Sequence, residues 1–527
     1  MIEDPIAFEV IKNALLSTAR EMSLTLRRAS FSPNIKERRD CSCAVFDDEG
    51  QLVAQSKDIP VHLGAMPCSV RACIDELEDD MSEGSMALLN DPYSGGSHLP
   101  DLTVVCPVFM ADQHVGFVAN RAHHADIGGT SPGSMPGLSL DIHEEGIVIP
   151  PRLIVKDWKL VTDWIDDILK ATRTPEERLG DLASQIAANT VGARRLQSIM
   201  KEHGTEGVLK IYHELKQYSM DLMQKAMIPY AGMKGTSRDY MESDGAGSFQ
   251  IPIVCSISIS DRGASITFEG TANQVAGNIN CPIASTLSSV YYVFIAVFGK
   301  GIPINEGCWS ILDTFVPSGS LLNPLYPAAV SAGNVETSQR IVDVVLGCLS
   351  KITPEMIPAA SQGTMNNLTI GGFDGRFNKP FSFYETIGGG SGGIKGLDGA
   401  SGIHTHMTNT LNTPIESLEI EYPLRITRYS LRTGSGGDGR WKGGEGLIRE
   451  IELLDDDFIV SIQSERRFLR PSGLAGGGDA QVGKNVLTFE NQEYVIQSKT
   501  TVKALKGSKI RIETPGGGGW GSLSTSK

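Results

Sequence analysis

Apolar residues recur at Phe8, Ile11, Leu15, Ala19 and Met22, the spacing of one helical face, and Asp4-Pro5 supplies an N-cap and a first-turn proline. A helix is therefore predicted to about Arg28. Alternating patterns at 41–46 and 51–56 flank the turn signal Asp47-Asp-Glu-Gly50 and predict a strand pair. Met66, Val70, Cys73, Ile74 and Leu77 mark a second amphipathic helix. Two apolar runs, 102–110 and 116–119, predict a hairpin turning near Asp112-Gln113. Thr174-Pro-Glu-Glu177 is a capping box that opens a long helix ending at His203-Gly204, and a further helix is predicted over 205–226. The segment 232–247 predicts a loop, followed by strands at 249–259 and 264–270 and apolar helices at 284–298 and 335–349. Beyond Tyr422 short strand-like runs dominate, at 447–454, 458–464, 486–489, 494–498 and 509–513. The expected fold class is α+β and multidomain, mixing strands and helices, with a helical pair near 175–227 and a β-rich C-terminal domain. The expected divisions are 1–170 (a metal-site α/β domain), 171–235 (helical), 236–425 (central α/β) and 426–527 (β-rich).

A chain of 527 residues exceeds one ordinary core, and 40% hydrophobic with 21% charged is an ordinary globular composition. The net charge of −15 leaves no basic excess to neutralise phosphates, which argues against nucleic acid and anionic membrane as partners. The cluster Arg27, Arg28, Lys36, Arg38 and Arg39 reads as a solvated or ion-paired surface, with a protein-partner or anion-facing role as the alternative. Nine scattered cysteines without a Cys-x-x-Cys pair read as reduced thiols, with Cys41 and Cys43 on one strand face. The acidic start at Ile2-Glu-Asp-Pro5 is no signal peptide, and no run approaches about 18 apolar residues, so a cytoplasmic protein is expected. The glycine-rich run 388–402 lacks the Lys-Ser/Thr of a phosphate-binding P-loop.

The candidate chemistry lies in Gly95-Gly-Ser-His-Leu-Pro-Asp101 and Arg121-Ala-His-His-Ala-Asp-Ile-Gly-Gly129. His98, Asp101 and His123 offer two imidazoles and a carboxylate which, with one position open, is the ligand set of a catalytic divalent metal site. Pro100 excludes a regular helix there, and the predicted hairpin would return His123 towards His98. Of His123 and His124, one is expected to be the ligand and the other to support it or face the substrate. The plainer reading is that these side chains only bond loop backbone. His62, His124 and Asp126 are candidates for proton transfer and substrate positioning. His143-Glu-Glu145 is a weaker candidate for the same cleft. His404 and His406 alternate along an extended segment beside Asn409, Glu416 and Glu419, as a structural polar network or a substrate channel, with a second metal site as the further alternative. His203 and His213, alone on the helical pair, are expected to be structural.

Asn90-Asp-Pro-Tyr-Ser-Gly-Gly-Ser-His-Leu-Pro-Asp101, Ala122-His-His-Ala-Asp-Ile-Gly-Gly129, Pro60-Val-His-Leu-Gly64, Lys36-Glu-Arg-Arg-Asp40 and His404-Thr-His-Met-Thr-Asn409 resemble the hydantoinase B/oxoprolinase family. The resemblance runs from Asp4 to Gly516-Gly-Gly-Gly-Trp-Gly521. The family includes B subunits of ATP-dependent N-methylhydantoinases, lactamases of the caprolactamase type, the C-terminal half of oxoprolinase, and subunits of acetone and acetophenone carboxylases. The resemblance implies that Asp40 joins His98, Asp101 and His123 around one divalent ion, zinc or manganese. An ion pair with Arg38 or Arg39 is the alternative role for Asp40.

What the resemblance implies for activity is ATP-dependent hydrolysis of a cyclic amide: a hydantoin, 5-oxoproline or a lactam. A partner A-type ATPase subunit, holding ATP and Mg, would phosphorylate the carbonyl oxygen, and the expected assembly is a heterotetramer with two of each subunit. The alternative enzyme is a subunit of an ATP-dependent ketone carboxylase of the acetone or acetophenone type, with the same ligands. The non-enzyme alternative is a metal-free scaffold that stabilises its ATPase partner.

Overall fold

The structure, a computed structural model, describes residues 4–523. Helix α1 (Pro5–Ala29) starts as its sequence demands, with the Asp4 side chain accepting from the Ile6 and Ala7 amides. After the short α2 (Pro33–Lys36) come β1 (Cys41–Phe46), β2 (Leu52–Gln55), α3 (Ala65–Leu77), β3 (Met86–Leu89), β4 (Asp101–Met110), β5 (Gln113–His123), β6 (Arg152–Lys156) and β7 (Lys159–Leu160). These strands form one sheet in the order β2-β1-β5-β4-β3-β6-β7, antiparallel at every pairing.

Helices α4 (Ile165–Ala171), α5 (Pro175–His203) and α6 (Thr205–Met227) follow. The capping box is not made: α5 begins at Pro175, but Thr174 gives it no side-chain bond. Gly204, at φ +80°, turns the chain from α5 into α6.

Both faces of this first sheet are covered, so consecutive residues enter different cores. Cys41, Cys43 and Val45, with Val104, Cys106 and Val118, pack with α1, α5 and α6. Ala44, Phe46, Val105, Phe117 and Ala119 pack on the other side. That second core also holds β8 (Lys234–Ser243), β9 (Phe249–Ile259), β10 (Ala264–Thr267), α7 (Ile283–Phe298), β11 (Leu312–Phe315) and α8 (Ser338–Leu349), the four strands forming a sheet in the order β11-β10-β9-β8. The loop expected over 232–247 thus holds a strand across 234–243. β8 occupies the sheet edge, and only Gly235, Met241 and Glu242 along it are buried, so it carries almost no apolar alternation.

The remaining elements are β12 (Asn367–Asp374), β13 (Lys379–Glu385), α9 (Ile415–Glu421), β14 (Leu424–Arg432), β15 (Gly446–Leu453), β16 (Phe458–Gln463), β17 (Lys484–Phe489), β18 (Gln492–Val495), β19 (Lys499–Ala504) and β20 (Lys509–Glu513). They make two sheets, β13-β12-β16-β19 and β14-β15-β20-β17-β18, around a third core. A division at 425/426 runs through the first of these two sheets, because β12 pairs directly with β16. The mixed α+β architecture agrees with the fold class expected from the sequence.

The glycine-rich runs meet one another. Gly517 donates to the Gly444 carbonyl, Gly393 to Gly518, Gly437 to Gly517 and Gly519 to Gly478. A Cβ on Gly443, Gly517, Gly518 or Gly519 would collide with a carbonyl oxygen of a neighbouring run. The amides of Gly389, Gly390, Ser391 and Gly393 are all spent on carbonyls of the chain, so this run cradles backbone.

Candidate metal centre

Three adjacent strands deliver the centre. Cys41 pairs with Ala122, Asp101 pairs with His123, and the His123 amide donates to the Asp40 carbonyl at 3.0 Å. Asp40, His123 and Asp101 therefore form one row across the ends of β1, β5 and β4, on the face opposite Cys41, Ala122 and Leu102. Gly95, at φ +84°, lets the preceding loop lie against the Cys68 backbone, where a Cβ would clash. That loop carries His98 over the end of the row.

His98, Asp101 and His123 each offer one ligand atom, and these atoms lie within 4.8 Å of one another. All three residues are buried. His98 Nε2 is 3.1 Å from Asp101 Oδ1 and His123 Nδ1 is 3.2 Å from the same oxygen. The His98 approach is off the hydrogen-bond direction, and Nε2 of both rings has no hydrogen-bond partner among the described residues. Buried nitrogens left open around one carboxylate fit a borderline divalent cation.

Burial opposes the charged form of His98, yet Asp101 beside it holds its pKa above the ordinary value. Burial pushes the Asp101 carboxyl up, but His98 and bonds from His123 and His62 hold it well below the usual carboxylate range. Burial pulls His123 down, towards the neutral imidazole a metal requires.

Asp101 is fixed by more than histidines. Ser97 Oγ donates to its Oδ2 at 2.7 Å, and Asn334 Nδ2 does so at 3.3 Å. Arg121, wholly buried, spreads its guanidinium over Thr103, Ser97 and Ser69. Asn334 sits in a π-helical turn, Gly333–Thr337, at the start of α8. His123 stacks on Tyr384 with centroids 4.6 Å apart, and the Arg38 guanidinium lies over the same tyrosine, 4.7 Å from its centroid. Arg38 is thus no surface residue: it is wholly buried, bonded to Asn34, the Tyr384 carbonyl and Thr386. Its distance to Asp40 is 3.9 Å.

The other candidates separate cleanly. His62 faces the centre, with Nε2 3.6 Å from Asp101 Oδ2 and Nδ1 2.8 Å from Ser42 Oγ. Asp40, His62, His98, Asp101 and His123 line one cavity of about 20 Å³. His124 lies on the opposite face, because strand alternation turns it away from His123. Its Nε2 meets Gln185 at 2.9 Å, and burial, with Arg178 nearby, drives its pKa down to about 4.

Asp126 is also elsewhere, accepting from the Gly128, Gly133 and Arg173 amides and from the Arg173 guanidinium. Neither His124 nor Asp126 reaches the cavity expected for them. His143 is outside as well, bonded to Tyr326 on the surface. Glu145 acts from beneath: it holds the Val330 and Ser331 amides, and the Ser331 carbonyl faces His98 Nδ1 at 3.5 Å.

His404 and His406 lie outside the cluster, although Met407 and Thr408 line its cavity. Both ring nitrogens of His404 and the Nε2 of His406 lack hydrogen bonds among the described residues, and His406 stands 4.0 Å from Asp343. Asn334 and Tyr384 lie in none of the motifs the sequence offers, and Ser97, Arg121 and Arg38 lie within such motifs but had no role assigned at the centre. Only Arg121, two residues from His123 on a strand, had a sequence signal for facing the site.

Comparison with known proteins agrees over the whole fold. The family model described as Hydantoinase B/oxoprolinase matches residues 4–523. A 5-oxoprolinase of Dictyostelium discoideum is 40% identical over 98% of this chain and 40% of its own length. The B-type component of a putative D-/L-hydantoinase from a Pseudomonas species is 32% identical, over 98% of this chain and 90% of that protein. The chain spans about two fifths of the length of the first curated relatives it matches. The crystal structure of an ATP-dependent caprolactamase from Pseudomonas jessenii superposes with a TM-score of 0.92 at 28% identity, covering 99% of this chain and 92% of that one. With one family pattern running through strands, loops and cores alike, the chain belongs to the hydantoinase B/oxoprolinase family.

Proposed function

We propose that this chain is the metal-bearing subunit of an ATP-dependent cyclic-amide hydrolase, working with an A-type ATPase subunit. The observation that carries this reading is the buried His98–Asp101–His123 cluster, with open ring nitrogens directed around one carboxylate. Asp40, in the same row and cavity, completes the proposed ligand set. A divalent ion bound there, zinc or manganese, supplies Lewis-acid polarisation and lowers the pKa of water towards ~7.

The chain's own groups then have distinct tasks. Ser42 orients His62 through Nδ1, leaving Nε2 towards the cavity to take the proton of an attacking water. Ser97, Asn334 and Arg121 hold Asp101 in place. The partner transfers the γ-phosphoryl of ATP to the carbonyl oxygen, which makes the amide carbon electrophilic. One water adds across the C–N bond and the ring nitrogen leaves protonated. A second water releases the phosphoryl group as inorganic phosphate, so ring opening consumes two waters and one ATP.

The test is co-purification with the A-type subunit and assay against 5-oxoproline, hydantoin and ε-caprolactam. The expected result is ring opening of at least one with matching ADP release. Carboxylation of acetone or acetophenone from bicarbonate, without opening of any ring, would overturn it in favour of the carboxylase alternative.

A further inference from the structure

The cavity around His62 and Asp101 measures about 20 Å³, room for little beyond an ion or a water. A substrate ring must therefore rest in a neighbouring space. A cavity of about 360 Å³ lies next to it, within the range of about 300–1,000 Å³ common for small-molecule pockets. The two share Ile59, which lines both. Ser42, a wall of the larger cavity, bonds His62 in the smaller one and also accepts from the Ile59 amide at 3.2 Å.

The larger cavity has an apolar wall built from Leu16, Leu63, Ile295, Ala296 and Ile304. Ile295 and Ile304 are half-buried and Ala296 is exposed, so this wall faces open space. On the other side Ser42, Asp58 and Asn409 are occupied. Asp58 is held by Arg27, Ser23 and Ser56, and Asn409 donates to the Asp58 carbonyl. Arg20 and Lys57 are exposed.

Resting on the cyclic-amide reading above, we infer that this apolar cavity is the ring pocket. It takes the hydrocarbon edge of a lactam, with the activated amide carbon turned past Ile59 towards the cavity of His62 and Asp101. An unsubstituted lactam such as ε-caprolactam presents only methylenes to the wall of Ile295, Ala296 and Ile304. A hydantoin presents a second carbonyl and a second N–H there, which that wall leaves unpaired. The pocket therefore selects lactams over hydantoins.

The experiment is saturation-transfer NMR on the zinc-loaded full chain, with ε-caprolactam and hydantoin as probes. The expected result is saturation of the caprolactam methylenes, weakened about ten-fold by Ala296→Trp at unchanged zinc content, and a much weaker hydantoin signal. Ile295→Trp serves as the second filling variant if Ala296→Trp does not fold. Equal caprolactam signals in wild type and a folded filled variant would overturn the pocket, and so would a hydantoin signal equal to that of caprolactam. If the complex opens no cyclic amide while the binding pattern holds, the proposed reaction fails and the pocket stands. If caprolactam is opened with a KM unmoved by a filled pocket, only the pocket assignment fails.

Discussion

Asp101 is the residue on which the centre converges, with His62, His98 and His123 around its carboxylate and Ser97 and Asn334 donating to it. Removing an imidazole nitrogen from such a set should release the ion. His98→Ala and His123→Ala are expected to lose metal by elemental analysis, while His203→Ala, at the end of α5, keeps it. Full occupancy in both variants, with loss in His404→Ala, would move the centre to the 404–406 segment. His62 is expected to separate chemistry from metal binding: His62→Gln should retain the ion and lower turnover by about 10²-fold or more.

A carboxylate outside the centre sets a pH dependence. Burial, with Glu465 nearby, raises the Glu336 carboxyl from 4.5 to about 8, although Met365 and Asn367 donate to it. The folded chain therefore holds this proton where the unfolded chain has lost it, and stability falls as pH rises from about 4.5 through 8. Glu336→Gln cannot ionise. Its stability in urea, relative to wild type, should gain about 2 kcal/mol between pH 6 and pH 9. Parallel pH profiles for the two proteins would contradict this.

Among the elements, the interleaved glycine runs are the least tolerant of change. Gly443→Ala sets a methyl against the Gly517 carbonyl, backbone that cannot swing aside, and about 3 kcal/mol of destabilisation is expected from such overpacking. Gly207→Ala, in α6 with nothing near its Cβ position, should instead stabilise by about 0.5–1 kcal/mol. Thermal melting of the two variants checks both signs at once. The hairpin β4–β5 is the element that matters most for function, because its register alone sets Asp101 opposite His123.

For the whole molecule, the spent amides of the glycine runs leave no phosphate cradle there, and the isolated chain is expected to hydrolyse no ATP. ATP turnover by the purified chain alone would contradict the division of labour with an A-type subunit. With that subunit, sedimentation should show a heterotetramer; separate monomers at micromolar concentration would argue against it. Among the described residues no helix is long and apolar enough to cross a membrane.

Local pattern in the sequence determined α1, α5, α6 and the β4–β5 hairpin, since helical faces, caps and alternating strands are encoded within a few neighbouring residues. It also marked His98, Asp101 and His123, because histidines and aspartates set close to glycines and a proline stand out without any fold. Strand period even required His123 and His124 to face opposite ways; which face carried the cavity was a tertiary matter. Edge strand β8 stayed hidden because its partner β9, not its own composition, makes it a strand. Only the assembled chain buried Arg38 against Tyr384, sent Asp126 to Arg173, and brought Asn334 across some 230 positions to Asp101. Those contacts join segments far apart in sequence, and burial and long-range pairing leave no local periodicity to read.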